Sequence, residues 1–94
     1  MISKKMENKG LSIKLEEKVL LKKLKKNLAN VINSRKKDIT KNADFEEKLG
    51  MDSLDRYEFG YSVENEFGIT IPDDKILELD SLNDYIDYIK ENYG

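Results

Sequence analysis

Leu49-Gly50-Met51-Asp52-Ser53-Leu54 joins a stretch with no regular period to the start of a strongly helical one, and the rest of the chain is read outward from it. Gly50, three residues before Ser53, suits a turn that aims the next helix. The helical pattern runs from about Ser53 to Phe67. Asp52 or Ser53 can cap its free amides, and Gly68 stands at the C′ position, where a left-handed residue ends a helix. The Ser53 hydroxyl therefore sits at a helix N-terminus. Unpaired amides and the positive end of the helix dipole there accommodate a phosphate added to that oxygen. The same place also suits an ordinary N-cap serine.

Upstream, Leu20, Leu21, Leu24, Leu28, Val31 and Ile32 recur at three- and four-residue spacing between about Leu15 and Asn33. Lys18, Lys22, Lys23, Lys25 and Lys26 fill other positions, so one face is core and the other solvated. Met1 to about Ile13 is Lys-rich, contains Gly10 and keeps no period. Residues 1–14 thus read as a loose basic arm before a single domain over 15–94. Ser34 to Gly50 reads as a long ordered loop anchored by Ile39, Phe45 and Leu49. Downstream, Ile69 to Ile71 form a short connector, and Pro72 and Asp73 start a short helix through about Leu79. Asp80 or Ser81 then caps a last helix in which Leu82, Tyr85, Ile86 and Ile89 repeat up to about Asn92. The expected fold is all-α, a small bundle of three main helices plus one short helix, with a long loop after the first helix.

Composition narrows the function. In 94 residues, 38% hydrophobic and 38% charged, only one narrow core can form, from amphipathic elements. The absence of cysteine excludes disulfides, thiolate metal sites and a cysteine nucleophile. The absence of histidine removes the usual general base and the commonest metal ligand. No metal site and no catalytic residue is expected. No apolar stretch approaches the roughly 18 residues that span a bilayer, and no secretion signal opens the chain, so a cytoplasmic protein is expected. The net charge of −2 conceals a division: Met1–Lys41 holds thirteen Lys+Arg against four Asp+Glu, and Asn42–Gly94 holds four against fifteen.

Rotating the second helix by about 100° per residue separates its apolar positions into two stripes. Phe59, Val63 and Phe67 form the expected core stripe. Leu54, Tyr57 and Tyr61 lie roughly opposite, rimmed by Asp55, Glu58 and Glu64. That second stripe is a docking strip edged with carboxylates, or a second buried face of a centrally placed helix, or surface covered by tyrosines with their hydroxyls in water. Serine-hydrolase chemistry at Ser53 is excluded, because there is neither a histidine to take its proton nor a Gly-x-Ser-x-Gly elbow.

At Leu49 to Leu54 the chain resembles the acyl carrier protein family, in which an Asp-Ser-Leu motif begins the second helix. A lone Asp-Ser-Leu is a weak signal, but its register is specific. Asn42-Ala43-Asp44-Phe45 before it, Ile71-Pro72-Asp73 after it and Ser81-Leu82 through Ile89 are similar to the family's loop, helix exit and final helix, so the resemblance covers about Leu20 to Ile89. It implies a carrier rather than an enzyme. Ser53 would be joined by a phosphodiester to 4′-phosphopantetheine taken from coenzyme A, with Asp52 and Leu54 flanking the attachment site. The group's terminal thiol would carry acyl cargo in fatty acid synthesis or a related pathway. The partners implied are a phosphopantetheinyl transferase and acyl-processing enzymes whose basic patches read Asp55, Glu58 and Glu64. No nucleic acid is expected as a partner, and the protein is expected to be a monomer.

The stretch after the motif departs from the family pattern. Arg56 is expected to put a positive charge into the acidic partner face, and Tyr57 and Tyr61 to replace aliphatic contacts with larger amphipathic ones. Gly60, which costs about 1 kcal/mol against alanine inside a helix, marks either close packing or space for a cargo chain. These departures keep a specialised polyketide or peptidyl carrier open, and beside it an unmodified helical interaction module in which Ser53 is only a cap. The basic arm is either solubilising or a dock for an acidic partner, a membrane surface or the chain's own acidic half.

Overall fold

The computed structural model describes residues 2–33 and 39–93, with side chains from Glu17 onward. Four helices follow one another, α1 (Ile2–Ile32), α2 (Ser53–Phe67), α3 (Asp73–Ile76) and α4 (Leu82–Tyr93), and the described residues contain no strand. The all-α bundle of three main helices and one short one is therefore the observed architecture.

The start of α1 differs from the sequence reading. Its backbone is helical from Ile2, well upstream of Leu15, because lysine, glutamate, methionine and leucine are good helix formers and the stretch contains no proline to stop it. The segment 34–38 of the expected long loop lies outside the described residues.

α2 and α4 both pack against α1. Leu24 and Leu28 of α1, Phe59 and Val63 of α2, and Leu82 and Tyr85 of α4 are almost entirely buried. Phe59 lies edge-on to both Phe45 and Tyr85, with ring centroids 5.7 and 4.9 Å away, an arrangement that suits the ring quadrupoles. Burial pushes the Tyr85 phenol well above its ordinary pKa. The loop anchors Ile39 and Phe45 are buried as expected and Leu49 is half-buried. Met51, which carries no periodic signal, is also core.

Backbone hydrogen bonds tie the loop to the start of α4. Phe45 N donates to Asp80 O and Asn83 N donates to Lys41 O, each at 2.8 Å. At the exit of α2, Gly68 adopts a left-handed φ of 64°, and the Glu64 carboxylate accepts the Ile71 N–H at 2.6 Å. Ser81 Oγ accepts the Asp84 N–H at 3.2 Å and caps α4.

Gly60 resolves in favour of close packing. It faces the buried Ile76 of α3, and a Cβ on it would stand 2.6 Å from Ile76 Cδ1 and 2.9 Å from both Cγ1 and Cγ2. Three atoms of one fully buried side chain cannot all yield cheaply. Gly60→Ala is expected to lower stability by about 1–2 kcal/mol, overpacking outweighing the helix-propensity gain. Thermal unfolding of the variant checks this through a lowered midpoint.

Candidate functional site

The site is built at the N-terminus of α2. Asp52 has extended backbone and is the N-cap: its Oδ1 accepts the Asp55 N–H at 2.9 Å, and Asp55 Oδ2 accepts the Asp52 N–H at 3.4 Å, closing a capping box. Gly50, with a left-handed φ of 65°, turns the chain into this cap, a conformation that favours glycine. Ser53 follows as the first helical residue. It is exposed, and among the described residues its Oγ has no hydrogen-bond partner. The cap that Ser53 was a candidate for belongs to Asp52, so the serine hydroxyl has no folding task.

The second stripe of α2 is open to solvent. Leu54 is 68% exposed and Tyr61 48%, with Tyr57 half-buried between them. The two tyrosine rings stack with centroids 6.1 Å apart, and the Tyr61 hydroxyl donates to Asp73 Oδ1 at 3.3 Å. Partial desolvation and the nearby Asp73 carboxylate raise the Tyr61 phenol above its ordinary pKa. Glu58 is exposed on this side, while Asp55 is half-buried and takes part in the capping box. The half-buried Glu64 holds the Ile71 amide.

Arg56 corrects the sequence reading. It does not place a positive charge on the partner face, because its side chain is only 7% exposed and turned inward. Nη1 donates to Glu46 Oε2 at 3.1 Å, and Nη2 donates to Leu77 O at 2.8 Å, Leu79 O at 3.1 Å and Asp80 Oδ1 at 2.6 Å. One guanidinium thus joins α2, the loop and the α3–α4 connection, while its buried Nε has no partner among the described residues. A signal for this was present: Arg56 stands seven residues before Val63 and so shares the core side of α2 with Phe59 and Gly60. With Arg56 withdrawn, the exposed strip beside Ser53 keeps its carboxylates and loses its one cation.

The family model described as "Phosphopantetheine attachment site" matches residues 22–89, from Lys22 within α1 through α2 and α3 to Ile89, two thirds of the way along α4. The chain belongs to this family. The carrier domain is similar to an acyl carrier protein of Lactobacillus acidophilus, 35% identical over 80 residues that cover 85% of the chain and the whole of that protein. It is also 40% identical over 78 residues to an acyl carrier protein of Rickettsia canadensis, covering 83% of the chain and 85% of the relative. To one of Porphyromonas gingivalis it is 41% identical over 61 residues, covering 65% of the chain and 78% of the relative.

A carrier domain of this family bears 4′-phosphopantetheine and does not itself catalyse. The residues at the head of α2 fit that group. An exposed hydroxyl without a partner stands at a helix N-terminus, and the Asp52 cap leaves it free. No helix among the described residues is long and apolar enough to cross a membrane.

Proposed function

We propose that Ser53 is the attachment point of 4′-phosphopantetheine and that the protein is an acyl carrier serving fatty acid synthesis or a closely related pathway. The observation that carries the assignment is the division of labour at the head of α2. Asp52 holds the helix end, and Ser53 presents an unencumbered hydroxyl beside it. When bound, the group supplies a terminal thiol that carries acyl cargo as a thioester. The chain's own residues orient the attachment point and display a recognition surface. Gly50 and the Asp52–Asp55 box fix the direction of α2. Leu54, Tyr57 and Tyr61 offer an apolar strip edged by Asp52, Asp55 and Glu58, which suits partner enzymes with Lys/Arg patches around an apolar pocket. Those partners are a phosphopantetheinyl transferase and acyl-processing enzymes. The names of the relatives favour acyl over aminoacyl cargo, and the cysteine-free sequence suits work in the cytoplasm.

The test is the intact mass after incubation with coenzyme A and a broad-specificity transferase. The protein is expected to gain the mass of one phosphopantetheine. Trypsin cleavage at Lys48 and Arg56 releases Leu49–Arg56, whose only hydroxyl is that of Ser53, and the added mass is expected on that peptide. No gain, or a gain on another peptide, would sink the assignment.

A further inference from the structure

The side of α1 turned away from α2 and α4 carries a lysine arc that the carrier reading leaves unused. Lys18, Lys22 and Lys26, at successive four-residue steps, are all exposed, and Lys25 is half-buried beside them. Lys23, at the edge of the arc, reaches the Glu66 carboxylate at 3.9 Å. Among the described residues Lys18, Lys22, Lys25 and Lys26 have no ion-pair partner, and Val19 lies within the arc at 49% exposure. Over its whole length α1 holds nine lysines against three glutamates and no arginine. The apolar stripe of the helix is already spent on the core through Leu20, Leu24 and Leu28, so this face offers charge and almost no apolar area.

We infer that this face of α1 is a second docking surface, and that its occupant is the anionic surface of a lipid bilayer. Charge complementarity sets the sign of the partner, and the kind of cation sets its class. Protein interfaces are enriched in arginine and aromatic residues and depleted in lysine, and arginine's fork gives bidentate recognition. The arc has no arginine and no aromatic ring. A row of compact, mobile point charges suits a diffuse sheet of anionic headgroups, which needs no fixed hydrogen-bond geometry. Binding along this arc is peripheral, since the apolar side chains of α1 from Leu20 to Ile32 are packed on the bundle, Val19 aside. α2, with Ser53, lies on the other side of α1 from such a surface, so the attachment point stays accessible while the protein is docked.

The experiment uses the full chain without its prosthetic group, which makes it independent of the Ser53 assignment. Co-sedimentation is measured at low salt with vesicles of phosphatidylcholine alone and with vesicles of phosphatidylcholine and phosphatidylglycerol. Binding is expected only to the second, and is expected to fade as salt rises. The triple variant Lys18→Gln, Lys22→Gln, Lys26→Gln is expected to bind about a hundredfold more weakly with its helicity unchanged, at the usual contribution of one lysine near an anionic leaflet. Equal binding to both vesicles, no binding to the anionic ones, or unchanged binding by the triple variant overturns the inference. So does tighter binding to polyglutamate or duplex DNA, or lysine-dependent self-association that outcompetes the vesicles.

Discussion

Replacing Ser53 with alanine is expected to leave a helical protein of wild-type stability that gains no mass from coenzyme A. The loss is complete because the peptide Leu49–Arg56 offers no other hydroxyl and the variant has no oxygen there to form the phosphodiester. The fold is spared because Ser53 Oγ makes no hydrogen bond among the described residues and alanine is the best helix former. The comparison that makes the result decisive is Asp52→Ala. That change removes the cap and is expected to cost about 1 kcal/mol while leaving the hydroxyl in place. Intact mass and thermal unfolding, measured on both variants, should therefore move in opposite patterns. Ser53→Ala abolishes the mass gain and spares the midpoint, whereas Asp52→Ala lowers the midpoint and keeps the hydroxyl, so its mass gain is expected to be slowed by the lost rim carboxylate and not abolished. An equal mass gain by Ser53→Ala would show the arm to be elsewhere.

The second large effect is structural. Arg56→Ala is expected to destabilise the protein by about 2–4 kcal/mol. The four bonds lost do not count equally. Glu46 and Asp80 are 67% and 56% exposed, so water can solvate their freed carboxylates. The Leu77 and Leu79 carbonyls lie on the inner side of the α3–α4 connection, and their lost donor is the costly part. The truncated stem also leaves space on the buried side of α2. Urea denaturation followed by circular dichroism should show a lowered midpoint. A drop below about 1 kcal/mol would mean that water replaces the guanidinium without loss.

These two residues also mark how far the sequence could be read. The elements with clear punctuation start where expected, and of these only α3 stops well short, at Ile76 and not at about Leu79. Asp52 and Gly68 bracket α2, Pro72 and Asp73 open α3, and Ser81 caps α4. Each of those signals is local, a side chain or a φ angle acting within one turn. The exposed strip of Leu54 and Tyr61 was legible for the same reason, since helical rotation alone separates it from Phe59 and Val63. Arg56 was misplaced because a charge reads as surface until its partners are known. Those partners, Glu46 and the 77–80 connection, lie 10 to 24 residues away, where no periodicity reaches. Met51 was missed because it lies in neither helix nor repeat, and only the folded loop turns it inward. The early start of α1 carries no apolar period to betray it, and only the helix-forming residue types between Ile2 and Leu15 point to it.

The Arg56 tie has a consequence for how the molecule opens. The segments it holds, at Glu46, Leu77, Leu79 and Asp80, lie outside the three long helices, and their own backbone hydrogen bonds are short-range turns such as Lys48 N to Asp44 O, Met51 N to Phe45 O and Leu79 N to Ile76 O. Left to themselves, such stretches would open separately, each at its own small free energy. With the guanidinium at their junction, and with Phe45 N on Asp80 O and Asn83 N on Lys41 O closing the same seam, they are expected to open together. Replacing Arg56 is then expected to lower the hydrogen-exchange protection of the 39–52 loop and the 77–81 connection in step.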